Sequence, residues 1–177
     1  MSFLRTAIVL ALLVPATTTL GQAVSVPQLK AAFLINFAKL TTWPDLGPTA
    51  PITLCTVGDD DVASAVAMMV QGRRVDGHAL AATRLPLDAA WAPCQILFIG
   101  KAEATHTLNR FRGEASGTLV TVSDEQGFAS NGGMIELFNE GSRLRFAVNL
   151  RQVDDSRVVL SSRLLQLARI VGDSRVR

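Results

Sequence analysis

The 177-residue sequence is poor in the side chains that most often carry chemistry. It has two histidines, His78 and His106, and neither has a cysteine, histidine or acid at metal-ligand spacing. It has two cysteines, Cys55 and Cys94, with no Cys-x-x-Cys spacing to lower a thiol pKa. Ser123, Ser161 and Ser162 all lie outside a Gly-x-Ser-x-Gly elbow, and Ser161-Ser162-Arg163 lacks the lysine of a Ser-x-x-Lys motif. The stretch from Gly127 to Gly133 is glycine-rich but has no Gly-Lys-Ser/Thr to cradle a phosphate. Beyond the N-terminus no run reaches 18 consecutive apolar residues. Neither an internal repeat nor a low-complexity segment is present. These absences argue against an enzyme, a metalloprotein and a membrane-spanning domain.

What is there begins with a targeting segment. Met1 to Arg5 carries one positive charge, Thr6 to Val14 is almost wholly apolar, and Pro15 and the threonine run at 17–19 break it. The apolar part is well short of the ~20 residues of a spanning helix. Gly21-Gln22-Ala23 places small residues three and one positions before a cut, so residues 1–23 read as a signal peptide and Val24 as the mature start. The remaining 154 residues are one domain's worth of chain. Arg5 is the only charge removed, which leaves 16 Lys+Arg against 15 Asp+Glu, a net charge of +1. There is no basic excess for nucleic acid. In an exported chain, two cysteines favour one disulfide, and closing its 39-residue loop would stabilise the fold by about 4 kcal/mol in the chain-entropy model. Free buried thiols and a redox pair are the alternatives.

The hydrophobic pattern alternates between helical and extended. Leu29, Ala32, Phe33, Asn36, Phe37 and Leu40 recur at intervals of three and four, predicting a helix from Val26 to Leu40 that ends before Trp43-Pro44, with Lys30 and Lys39 off the stripe. Ile52 to Val57 predicts a strand, followed by a helix from about Val62 to Val70. Gly72 and Gly77 bracket a turn, and His78 to Leu85 reads as extended. Cys94 to Ile99 is a near-continuous apolar run, as in a strand buried on both faces. A helix is expected from Ala102 to Phe111 and a strand from Thr118 to Val122. Met134–Asn139 and Arg143–Asn149 both alternate around Glu140-Gly141, which predicts a hairpin. A last helix, capped at Asp155-Ser156, is expected to run through Leu164 to Val171. Alternating elements followed by a late antiparallel pair predict an α/β three-layer sandwich. Its sheet is mostly parallel, with a C-terminal antiparallel hairpin at the edge and helices on both faces.

Ligands of open parallel sheets bind beyond the carboxyl ends of the strands. Three such ends are polar: Gly58-Asp59-Asp60-Asp61, Gly100-Lys101 and Ser123-Asp124-Glu125. Asp59, Asp60, Lys101 and Asp124 are therefore candidate ligand-binding residues. Acid, lysine and acid also match a phosphoacceptor receiver domain holding Mg²⁺. Export argues against that reading, because receivers use a cytoplasmic phosphodonor. Capping by Asp59 and Asp60, with solvated loop charges, is the simpler account. Phe33, Phe37 and Trp43 either close one end of the core or line an apolar groove. Trp43, beside Pro44 at a helix end, is the one expected to be partly exposed.

An ordered set of segments resembles the YfiR family. It comprises Lys30 to Lys39 with Trp43-Pro44, Cys55-Thr56-Val57-Gly58, Cys94 to Ile99, and Thr121-Val122-Ser123-Asp124. Gly127-Phe128 with Gly132-Gly133-Met134-Ile135, Arg145 to Asn149 and Leu160 to Ala168 complete it. Together these span nearly all of the mature chain. The resemblance implies a periplasmic, non-enzymatic α/β protein that binds no cofactor and is often dimeric. It implies repression of an inner-membrane diguanylate cyclase by contact with that enzyme's periplasmic part, lowering cyclic di-GMP and so affecting biofilm formation. It further implies relief of repression by an outer-membrane peptidoglycan-associated lipoprotein. The family's structural disulfide would fall on Cys55 and Cys94. Some members have a second disulfide in the segment matching Ala129 to Glu136. No cysteine occurs there, so the Gly127–Gly133 loop is expected to be more mobile. An apolar partner surface with a polar rim is expected on the hairpin, at Met134, Glu136, Phe138, Arg143 and Arg145, with Trp43 at a further end. A periplasmic small-molecule-binding sensor is the alternative function.

Overall fold

The computed structural model describes residues 24–91, 93–111 and 117–172, so the expected signal peptide lies outside the described residues. The first helix, α1 (Val26–Lys39), opens with a reciprocal cap. Ser25 Oγ accepts from the Gln28 amide at 3.3 Å, and Gln28 Oε1 accepts from the Ser25 amide at 3.0 Å. Pro27 occupies the first turn, where its missing N–H costs nothing. The chain then makes β1 (Thr41–Thr42), β2 (Ile52–Val57) and α2 (Asp60–Val70). A two-residue turn at Asp76-Gly77, both at positive φ, joins β3 (Arg74–Val75) to β4 (His78–Arg84).

After β5 (Ile96–Ile99), a 3-10 turn at Lys101–Glu103 leads into α3 (Ala104–Phe111). There follow β6 (Val120–Ser123), β7 (Ile135–Glu140), β8 (Arg143–Asn149), α4 (Leu150–Asp154), β9 (Val159–Leu160), α5 (Ser162–Leu167) and β10 (Arg169–Val171). The main sheet has eight strands in the order β10-β8-β7-β6-β5-β2-β4-β3. Strands β4, β2, β5, β6 and β7 run parallel, and the central β2, β5 and β6 are buried along their whole length. β8 returns antiparallel through the Gly141-Ser142 turn, where Gly141 takes φ +60°. The fold is the expected three-layer α/β sandwich with a mostly parallel sheet.

Two expectations near the C-terminus need correction. The last helix does not start at Asp155 or reach Val171. Val159 and Leu160 instead pair with Thr42 and Thr41 as a small separate sheet. Ser161 caps α5, the backbone turns extended at Ala168, and Arg169–Val171 pairs in parallel with β8. One more strand therefore lies outside the hairpin. Short apolar runs fit either period, and here tertiary pairing decides.

The two faces of the sheet carry different cores. On one face α1, α2 and α5 cover Leu54, Phe98, Val122, Leu137 and Val148. The other face has a smaller cluster around α3, Trp91, Leu97, Phe128 and the Cys55–Cys94 disulfide. The cysteine Cα atoms are 5.8 Å apart, and both residues are buried. Cys55 lies in β2 opposite Leu97 of β5, and Cys94 in the segment just before β5.

The Gly127–Gly133 loop closes this second face. Phe128 is buried beneath it, and a Cβ on Gly133 would strike the Phe128 ring. Glu136 Oε2 accepts from the Ala129 amide at 3.2 Å, and Asn149 Nδ2 donates to the Ala129 carbonyl at 2.6 Å. A loop expected to be looser without a second disulfide is thus tied to two strands through buried polar side chains.

Candidate functional site

The stripe read from the sequence of α1 is only partly covered. Phe33 and Phe37 pack edge-on with Phe146 of β8, at ring-centroid separations of 5.2 to 6.0 Å. These contacts fix the helix against the hairpin. Beside them lies an open groove of about 500 Å³. α1 lines it with Phe33, Phe37 and Leu40, and β8 with Leu144 and Phe146. From α5 come Leu164, which is buried, and Leu167, which is 59% exposed. Lys39, Arg145 and Arg163 stand at its rim with Asn36. Phe37 is buried in the core and Phe33 packs against it, while both also line the groove, so the two roles their spacing allowed coexist.

A second, more polar trough of about 590 Å³ adjoins the first through Leu144. It lies at the carboxyl ends of the strands and is lined by Lys30, Lys101, Asp124, Phe138 and Arg169, among others. Lys30 is its keystone. Its Nζ is 2.8 Å from Asp124 and 3.5 Å from Asp59, and 5.6 Å from the Phe98 ring centroid. Asp59 also caps α2 by accepting from the Val62 amide at 3.1 Å. One lysine thus ties α1 to the ends of β2 and β6. Nearby, the Arg169 guanidinium lies 3.8 Å from the Phe138 ring centroid.

The strand-end candidates divide accordingly. Asp59 and Asp124 come together through Lys30, which already balances their charge. Asp60 turns away to pair with Arg84, and Lys101 sits 3.8 Å from Glu125. Lys30 itself was not singled out. It lies off the apolar stripe, and nothing local in the sequence indicates that its partners come from distant strand ends.

The hairpin candidates divide too. Arg143 and Arg145 are exposed, Arg145 pairing with Glu140 at 3.5 Å, and Phe138 is half-buried. Met134 and Glu136 are not surface residues. Met134 belongs to the core and donates its amide to Thr121 Oγ1, while Glu136 points under the Gly127–Gly133 loop. Trp43 is not exposed either: its relative exposure is 6%. The β1–β9 pairing folds the segment after α1 against the C-terminal part of the chain and carries the indole into the core. The apolar surface with a polar rim therefore sits beside β8, but α1 and α5 supply most of it.

The remaining polar residues have local roles. Ser123 Oγ accepts from the Glu125 amide, Ser161 caps α5, and His78 Nδ1 lies 2.8 Å from the Ala50 carbonyl oxygen. Among the described residues, no three His, Cys, Asp or Glu side chains gather as a metal ion would require. No described helix is long and apolar enough to cross a membrane.

The fold and site define a disulfide-bonded α/β module with an apolar groove beside a more polar trough. Its sequence matches the YfiR/HmsC-like family model over residues 27–169, and the chain belongs to that family. In general terms these are periplasmic regulatory proteins that act with a membrane diguanylate cyclase. No curated protein matches the chain.

Proposed function

We propose that this protein is a periplasmic regulator, not an enzyme, that inhibits a membrane-bound diguanylate cyclase by direct contact with its periplasmic region. The mature chain would start at Val24 after signal-peptide cleavage and act as a homodimer. An outer-membrane peptidoglycan-associated lipoprotein would relieve the inhibition by taking the regulator away. The observation that carries this reading is the groove between α1, β8 and α5 in a member of a regulatory family. It places apolar side chains on a packed frame, ringed by polar ones, an arrangement found in protein-binding patches.

Deleting the gene should raise cellular cyclic di-GMP and surface attachment. Restoring the wild-type chain should reverse both, and restoring Leu167→Asp should not. Unchanged cyclic di-GMP in the deletion strain would sink this reading.

The adjoining polar trough favours a second reading, a small-molecule sensor. Lys30, Lys101, Asp124 and Arg169 mix charges beside the Phe138 ring, as suits a small polar ligand with a flat apolar part. A thermal-shift screen of metabolites on the purified protein tests it, and no stabilising compound would count against it. The two readings are compatible, because a ligand that prefers one state shifts the balance between partners.

A further inference from the structure

We infer that the groove beside α1 takes an acidic, amphipathic helix of the partner protein. This rests on the reading of the chain as a contact regulator and adds the chemistry of what it contacts. The first observation is charge. Lys39, Arg145 and Arg163 stand around the groove, and no carboxylate lines it. Lys30 pairs with Asp59 and Asp124, Arg84 with Asp60, and Arg157 with Asp45 at 2.8 Å, whereas neither Lys39 nor Arg163 is in an ion pair among the described residues. Arg145 has only the exposed Glu140, a pair that contributes little. The mature chain is nearly neutral, so three cations around one trough are a local arrangement and not a consequence of composition.

The second observation is shape. The two troughs share Leu144, so the depression follows α1 from Val26 to Leu40, with Asp124 and Glu136 lining only its polar half. At 1.5 Å per residue that is about 20 Å, the length of a four-turn helix. β10 pairs with β8 only at Ala147–Asn149, so beside the groove the uncovered edge of β8 is Arg143–Phe146, too short to anchor a segment of that length by backbone bonds alone. Recognition must therefore use side chains, as when the apolar stripe of a helix lies in a groove. The partner's apolar residues at i, i+3, i+4 and i+7 would meet Phe33, Leu144 and Leu167, and its flanking acids would meet the rim. A second copy of this chain fits poorly, since a two-fold contact through this face would set cations against cations.

The test is to pan a library of random 16-residue peptides on the immobilised mature chain, then measure the winners by fluorescence anisotropy. Enriched sequences should carry an apolar stripe of helical period flanked by Asp or Glu. The triple variant Lys39→Glu/Arg145→Glu/Arg163→Glu should bind them at least about tenfold more weakly, chiefly through slower association. Added salt should weaken binding to the wild type. The rim residues are exposed, so the variant should melt as the wild type does, and Leu167→Asp provides a second, uncharged-to-acidic probe of the same groove. Basic or uncharged winners, no winners, or equal binding by the triple variant would overturn the inference. So would preferential binding to phosphatidylglycerol vesicles that the same variants abolish, which would make the groove a lipid site. Cyclic di-GMP in the deletion strain is measured separately, so either idea can fail alone.

Discussion

The two faces of the sheet solve the same packing problem differently. One is covered by α1, α2 and α5, has the larger core, and opens at its margin into the groove. The other is covered by α3 and two loops, has the smaller core, and holds the only disulfide among the described residues. A covalent link is placed where little apolar area is available, and the open groove where packing already suffices. The groove face can leave apolar side chains uncovered because its frame does not depend on them.

The comparison breaks most readily on the disulfide face. Replacing Cys55 and Cys94 together by alanine should cost about 4 kcal/mol, the chain-entropy value for a loop of this length. At about 2–4 °C per kcal/mol for a chain of this size, the melting temperature should fall by roughly 10 °C in a calorimetric scan. A drop of a degree or less would mean that the smaller core holds itself.

Phe128→Ala should cost about 3–4 kcal/mol, the usual range for emptying a buried phenylalanine site. The same variant should speed amide exchange at Ala129, whose bond to Glu136 it would loosen. Fast exchange there in the wild type would show that the buried anchors do not restrain this loop.

Across the sheet, Lys30→Met should cost about 2 kcal/mol, between the values of exposed and fully buried ion pairs. It keeps the aliphatic stem but leaves Asp124 and Asp59 facing each other without a cation. Urea denaturation would read it, and a further Asp124→Asn change should recover part of the loss. The smallest effect on stability belongs to Leu167→Asp, within about 0.5 kcal/mol for an exposed position. Its melting curve should overlay the wild type. A large shift would mean that the groove is part of the frame and not a surface spared from it.

Much of the architecture was legible because it rests on period. Helix α1, the buried strands β2 and β5, and the β7–β8 hairpin follow from spacing and from turn residues. The end of the chain was not, because Val159-Leu160 and Arg169–Val171 owe their strand form to partners far away in sequence. The site was half legible. Arg145, Phe33 and Phe37 were visible as groove candidates, but nothing in local sequence showed that α5 would lean over to complete the wall with Leu167. Glu136 and Met134 read as surface because alternation shows which residues share a face, not whether a loop covers it. Lys30 gave no signal for the corresponding reason: it lies off the stripe of α1, and its partners come from the sheet.

The outermost strands of the sheet are β3, with two residues, and β10, with three. Strands this short make poor templates for another chain, and where β4 and β8 run past them Arg84, Arg143 and Arg145 put charge on the uncovered edge. Self-association by continuous β-sheet is thereby discouraged at both ends. Any homodimer must form through side chains and can come apart without unravelling a strand. On the proposed reading, in which the regulator passes from one partner to another, that reversibility is what the exchange requires, and the same edges would resist fibrous aggregation at high concentration.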